Sequence, residues 1–210
     1  AGNQRAMAAA LQARGAAHVA EARDRVQPLL TRLTGDARER ARLSGETGKL
    51  CDGRGARRAL LAIRPELARD GRQVDLRPAE MADAAFLLRL QSFPQSRRFA
   101  RKPAVPGEDE HVAWLRGRLA DTTSILNIVL YGGEPVGMLR LDGRPQQRQP
   151  AFEVSIIVEP GHTRLGIGAA ALSAARRLVP DAEFHAHVLP TNEPSHALFS
   201  AAGFARDGDW

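Results

Sequence analysis

Cysteine is nearly absent from this chain. Cys51 is the only one in 210 residues, so no intramolecular disulfide holds the fold together, which fits a reducing cytoplasm. Long apolar runs are missing too. None approaches the roughly 20 residues of a membrane-spanning helix. Arg5, Arg14 and His18 interrupt the opening stretch, so it does not read as a secretory signal. Lysine is almost as scarce as cysteine: Lys49 and Lys102 are the only two, and arginine carries nearly all the positive charge. No glycine loop runs into Gly-Lys-Ser or Gly-Lys-Thr, which excludes a Walker phosphate loop, and the dinucleotide fingerprint G-x-G-x-x-G does not occur. No internal repeat is found.

A hydrophobic share of 43% is enough for a sizeable core. The formal charge of +6 is unevenly spread. Residues 1–72 hold 15 basic and 8 acidic side chains, while residues 73–210 hold 15 and 16. The excess sits in the front segment and is read as arginine serving as a general surface cation, with no nucleic-acid or membrane partner. A phosphate-rich partner is the alternative.

Residues 1–70 read as helices with short breaks. Asn3–Ala13 has high helix propensity and stops at Gly15. Ala17–Ala20 is expected as one short strand. Asp24–Leu33 sets Val26, Leu29, Leu30 and Leu33 on one stripe, closed by Gly35. Asp36 suits the N-cap of a helix running to about Gly45. Gly53 and Gly55 break the chain before Ala56–Ile63, and Arg64-Pro65 and Asp70-Gly71 punctuate the stretch after it. From Gln73 the pattern changes. A strand leads into a helix over Met81–Leu90, a polar loop spans Gln91–Gly107, and Glu108–Leu119 is amphipathic. Ser124–Leu130 and Pro135–Leu141 flank Gly132-Gly133 as a hairpin. Phe152–Val158 is a further strand, succeeded by a glycine turn, a helix to Leu178, a strand over Glu183–Leu189 and a helix over Glu193–Ala202. This order predicts an α+β fold with a mostly antiparallel sheet in residues 71–210 and a helical appendage in residues 1–70.

The most informative stretch runs from Phe152 through Val158, Pro160 and Arg164 to Leu165-Gly166-Ile167-Gly168-Ala169. A strand ends, a glycine-rich turn comes next, and an alanine-rich helix begins. Helix N-termini carry unpaired N–H groups and the positive end of the helix dipole, and glycines let a phosphate approach the backbone. The alternative is a strand–helix corner that needs glycine for packing. Further on stands Asn192-Glu193-Pro194-Ser195-His196-Ala197-Leu198-Phe199, closed by Gly203-Phe204.

Together the two stretches resemble the GNAT superfamily of acetyl-CoA-dependent N-acetyltransferases over about residues 73–210. That family carries V-x-P-x-x-R/Q-x-x-G-x-G/A after its fourth strand, matched here by Val158, Pro160, Gly166 and Gly168. It carries N-x-x-A/S-x-x-L/F-Y-x-x-x-G-F in its last helix, matched by Asn192, Ser195, Leu198, Gly203 and Phe204. The resemblance implies the GNAT fold, a mixed and mostly antiparallel sheet flanked by helices, with acetyl-CoA as the cofactor and no metal. It implies cofactor contacts at Ile157, Val158, Arg164, Leu165, Gly166, Ile167, Gly168, Ala169, Asn192, Ser195 and Phe199. Thr163 departs from the usual arginine or glutamine, with Arg164 adjacent. Phe199 departs from the usual tyrosine that protonates the leaving thiolate. A thiol of pKa about 8.5 leaves tolerably without that proton.

An amine must lose a proton as it is acetylated, and a base near neutrality suits this. Family members with a glutamate base on the fifth strand place it where His187 stands, five residues before Asn192. Strand alternation sets Glu183, His185, His187 and Leu189 on one face, and a histidine pKa of about 6.5 fits the role. The alternative is a histidine that only hydrogen-bonds in the cleft. Glu153, sharing a strand face with Ser155 and Ile157, is the second candidate, since fourth-strand glutamates serve elsewhere in the superfamily. The thioester oxygen is expected to meet backbone N–H near Ile157 and Val158.

For the acceptor, Arg97-Arg98 and Glu110-His111-Val112-Ala113-Trp114-Leu115 resemble the nucleotide-sugar branch, which acetylates the 4-amino group of UDP-linked 4-amino-4,6-dideoxy sugars on the route to pseudaminic acid. Arg97 and Arg98 would clamp a diphosphate, and His111, Trp114 and His185 would line the sugar site; Trp114 as core is the alternative. Gly2-Asn3-Gln4, Arg14-Gly15-Ala16-Ala17 and Leu50 to Ala56 resemble the end of that pathway's MurG-like UDP-sugar hydrolase, as the remnant of a fusion. The family adds one or two strands after its Gly-Phe, here close to Trp210, so a hairpin completed by another chain, as in a homodimer, or a shortened chain is expected. Two rivals remain: a protein or peptide N-acetyltransferase of the same fold, and a non-catalytic acyl-CoA-binding module.

Overall fold

The structure is a computed structural model and describes residues 2–100, 102–144 and 149–208. The chain divides into two compact units, Ala1–Arg54 and Gly55–Trp210. No helix among the described residues is long and apolar enough to cross a membrane.

The first unit holds helices α1 (Gly2–Ala13), α2 (Val26–Gly35) and α3 (Ala37–Leu50). Asp36 caps α3 by accepting from the Glu39 N–H at 2.9 Å, as its position before the run predicts. α3 continues past Gly45 and Gly48 to Leu50, because each interior glycine costs a helix only about 1 kcal/mol. Ala17–Ala20 is not a strand. No partner strand lies in this unit among the described residues, and α3 fastens the flanking segment instead: Arg42 donates to the Gly15 carbonyl (3.1 Å), Thr47 to that of Ala16 (3.0 Å), and Glu39 meets His18 at 2.7 Å. Burial is slight. Ala16 is the unit's one buried apolar residue among those described, and Val26 and Leu30 of the α2 stripe stay exposed.

The second unit begins at Gly55, with α4 (Gly55–Ile63) and a two-residue strand β1 (Glu66–Leu67). Then come β2 (Gln73–Pro78), α5 (Ala84–Ser92), the short α6 (Pro94–Arg98) inside the expected loop, and α7 (Glu108–Ala120). After these stand β3 (Ser124–Tyr131), β4 (Glu134–Gly143), β5 (Ala151–Val158), α8 (Ile167–Leu178), β6 (Glu183–His185) and α9 (Glu193–Ala201). The six strands lie in sequence order, antiparallel except for the parallel pair β5–β6. The β3–β4 hairpin turns on Gly132 and Gly133, both at positive φ, the backbone a tight hairpin requires.

Side-chain alternation divides the sheet into two apolar faces. One packs Val129, Leu139, Leu141 and Val154 against the inner side of α8, from Ile167 to Leu178, and against Phe199 of α9. The other packs Leu126, Ile128 and Met138 against Leu87 and Leu90 of α5 and Leu115 of α7. β6 is shorter than expected. It pairs only through Ala151↔Glu183, Phe152↔Phe184 and Glu153↔His185, and His187 lies beyond it. The sequence there still alternates polar and apolar, but no strand among the described residues pairs with it, so alternation does not fix the face of His187.

Candidate active site

The parting of β5 and β6 leaves a gap in the sheet. β5 runs on to Val158, so its edge from Val154 to Val158 has no paired strand among the described residues. Backbone direction along β5 is fixed by its neighbours. The Glu159 N–H donates to Val136 of β4 and the Ala151 carbonyl accepts from Arg144, whereas the Pro150 carbonyl accepts from Glu183 on the other side. With unbroken β4–β5 register, the amides of Ile156 and Val158 face the open edge and that of Ile157 faces β4. Gly137 permits this close pairing: a Cβ there would lie 2.4 Å from the Ile157 carbonyl oxygen.

Beyond β5, Glu159 meets Arg89 at 2.7 Å and His162 at 3.5 Å, and the His162 ring stands edge-on to Tyr131 at 5.8 Å. The turn then passes through two left-handed residues, Arg164 at φ 65° and Gly166 at φ 83°. A non-glycine residue in that region costs roughly 1–2 kcal/mol and is tolerated where its surroundings hold it, often at ligand sites. Gly166 is the N-cap of α8, and no side chain among the described residues caps the helix. Its first amides therefore remain available at the positive end of the dipole, an arrangement that accepts an anion. The glycines serve different ends. A Cβ on Gly166 would stand 3.0 Å from Cγ of Arg69, one on Gly168 would stand 3.1 Å from Leu198 of α9, and one on Gly161 would meet nothing within 4 Å among the described residues. Gly168 is thus required by helix packing, the alternative the sequence left open, and Gly166 by its backbone angle. Ile167 is buried in the core, while Leu165 and Ala169 are half-buried.

The second motif is used structurally. Asn192 caps α9, accepting from the Ser195 N–H at 3.2 Å. Phe199 is buried, edge-on to Phe204 with centroids 4.9 Å apart. It brings no hydroxyl to the gap.

On the opposite face of the sheet, Glu153 and His185 are register partners where β5 and β6 part. Across β4, Glu153 faces Asp142. Asp142 accepts from Arg140 at 2.8 Å and from Arg118 at 3.0 Å. Arg140 also donates to Ser155 at 3.3 Å and lies over the Trp114 ring at 5.9 Å. Trp114 in turn stacks at 5.3 Å on His111. His111 is buried, burial holds its pKa below the usual imidazole value, and its Nε2 has no hydrogen-bond partner among the described residues. It also lines a groove of about 420 Å³ between α5 and α7, with Leu88, Arg89, Glu108 and Val112. Sequence reasoning does not reach Arg140, Arg118 and Asp142; three charged residues among many give no signal until β4 and α7 are paired in space. Arg97 donates to the carbonyls of Lys102 (3.1 Å) and Ala104 (2.9 Å), and Arg98 lies over Phe99. These two arginines order their own loop.

The family described as Acetyltransferase (GNAT) family matches residues 87–204, more than half of the chain. No curated protein matches. Among solved structures, RimJ of Mycobacterium smegmatis in complex with CoA-disulfide is 24% identical, with a TM-score of 0.58 over 69% of this chain and 75% of that one. An aminoglycoside acetyltransferase with coenzyme A is 19% identical, with a TM-score of 0.57 over 65% and 86%. Spermidine N-acetyltransferase from Vibrio cholerae, in complex with CoA and spermine, is 20% identical, with a TM-score of 0.56 over 64% and 82%.

Proposed function

The chain belongs to the GNAT acetyltransferase family and is an acetyl-CoA-dependent N-acetyltransferase; from that premise we propose how its own residues divide the reaction. The observation that carries the proposal is the juxtaposition of a β5 edge left unpaired among the described residues with an α8 N-terminus that no described side chain caps, a few residues later. A pantetheine-like chain fits the first and a pyrophosphate the second. The amides of Leu165 to Ala169 hold the pyrophosphate, and Arg164 stands beside it. The amides of Ile156 and Val158 receive the thioester oxygen as charge develops on it. Acetyl-CoA supplies an acetyl thioester: the C–N bond to the amine forms, the C–S bond breaks, and sulfur leaves with the electron pair. Glu153 takes the amine proton, through water where needed, because its face of the sheet is set by register on both sides. His187 is the alternative base. Phe199 supplies no acid, so the thiolate departs unassisted or takes its proton from water.

For the acceptor, the resemblance at Arg97, Arg98, His111 and Trp114 supports an amino-sugar nucleotide, with Trp114 and Arg140 as the wall against which the sugar lies. A second reading rests on Arg97. Its donation to two loop carbonyls favours an acceptor without a diphosphate, such as a peptide or a small polyamine. The deciding experiment is thiol release from acetyl-CoA with a UDP-4-amino-4,6-dideoxy sugar, run beside peptides and spermidine. Release with the sugar alone supports the first reading. Release with peptides or polyamine alone overturns it and leaves the acetyltransferase. Coenzyme A binding without release for any acceptor would point to a binding module.

A further inference from the structure

The family match begins at residue 87, yet the preceding segment, residues 55–72, is fastened to α8 at both ends. Near the C-terminal end, Arg177 donates to the carbonyls of Leu60 (3.2 Å) and Arg64 and meets the Glu66 carboxylate at 3.1 Å. At the N-terminal end, Arg69 engages the phosphate turn in three ways. Its N–H donates to the Leu165 carbonyl at 2.8 Å, its Nη1 donates to the Arg164 carbonyl at 3.2 Å, and its Cγ fills the space a Gly166 Cβ would need. The base of Arg69 is itself held. Ala68 and Arg72 close a tight turn at 2.8 Å, the Tyr131 hydroxyl donates to Asp70, and Arg72 lies over the Tyr131 ring at 5.0 Å.

In a trans peptide the C=O and N–H point in opposite directions. The Arg164 carbonyl shares its peptide with the Leu165 N–H, and the Leu165 carbonyl shares its own with the Gly166 N–H. Drawing both carbonyls toward Arg69 turns both N–H groups away from it. We propose that Arg69 is a positioning residue: it aims the Leu165 and Gly166 amides at the acetyl-CoA pyrophosphate and holds Arg164 in its left-handed conformation. The inference rests on the cofactor site proposed at this turn, and it makes residues before the family match part of that site.

The test uses the full chain with coenzyme A in calorimetry and acetyl-CoA in steady-state kinetics. Arg69→Ala keeps the backbone bond to Leu165 but removes the guanidinium bond to the Arg164 carbonyl, and is expected to weaken coenzyme A binding and raise the KM for acetyl-CoA about tenfold, the range of one mis-aimed hydrogen bond to a charged group. At saturating acetyl-CoA, kcat and the acceptor KM stay unchanged. Arg69→Lys keeps the stem and one donor, and brings affinity back to within about threefold of the parent. Unchanged affinity in Arg69→Ala overturns the proposal. So does a loss spread over kcat and acceptor KM with a lowered Tm and no rescue by lysine, since that marks a general loss of structure. A parent chain that binds no coenzyme A overturns the cofactor site and this inference together; a parent that binds while Arg69→Ala binds equally well removes this inference alone.

Discussion

At the turn between β5 and α8 the groups offered to a ligand are backbone amides, and side chains only aim them: the Arg69 guanidinium draws on the Arg164 carbonyl, Leu198 fills the space beside Gly168, and no side chain among the described residues caps the helix. On the α5–α7 face of the sheet the situation is reversed. There the backbone is occupied in the ladder, and Glu153, Ser155, Arg140 and Trp114 offer side chains whose positions depend on partners in other elements. The first design tolerates substitution of side chains that point away but not of the few residues that set backbone angles. The second fails on single side chains, even where the substitution leaves the backbone undisturbed.

The sharpest test of that contrast is Gly166→Val. A β-branched residue at φ 83°, with its Cβ 3.0 Å from Arg69, forces the turn out of shape. Coenzyme A binding should weaken roughly 100-fold or more, as measured by calorimetry, with far-UV circular dichroism unchanged. Near-parent affinity would mean that the cofactor does not use these amides. Next in size, Glu153→Gln should lower kcat on the order of 100-fold, the lower range for losing a general base, while coenzyme A affinity stays within about twofold. His187→Ala, measured in the same series, should cost less; the reverse order would move the base to His187. Third, Trp114→Ala should raise the acceptor KM about tenfold without touching coenzyme A binding, as removal of an aromatic wall under a cation does. An unchanged acceptor KM with a lowered Tm would make Trp114 a core residue only.

The same contrast explains what can be read from sequence. The turn and α9 are legible because their requirements are local. A left-handed N-cap at Gly166, a cap at Asn192 and a hairpin on Gly132-Gly133 each demand particular residues at fixed spacing. Asp36 is legible for the same reason. Arg69 is not, because its partners Arg164 and Leu165 lie some ninety-five residues on, and one exposed arginine among so many carries no mark. Arg140, Asp142 and Arg118 are hidden in the same way. The extent of β6 is hidden because alternation reports which face a strand would bury, not whether a partner pairs with it. The division at residues 54 and 55 escapes the sequence because α4 and β1 read as more of the helical front, although Arg177 fastens them to α8.

The smallest effect belongs to Phe199→Tyr, which gives back the hydroxyl that the family pattern places in this helix. A side-chain acid is useful only if the departing sulfur needs a proton. With a thiol pKa of about 8.5, the thiolate leaves adequately near pH 8, and the acid's benefit grows only as the pH falls. Phe199 is also buried edge-on to Phe204, so an added hydroxyl must find a partner or destabilise the packing. We expect kcat at pH 8 to change by less than about threefold and the gain at pH 6 to remain small, with a lower Tm where the hydroxyl stays unpaired. A large rise in kcat would show that the leaving group is limiting in the parent chain. The sulfur end of the cofactor site would then depend on a side chain after all, and the division between an amide-built turn and a side-chain-built acceptor face would hold only at the pyrophosphate.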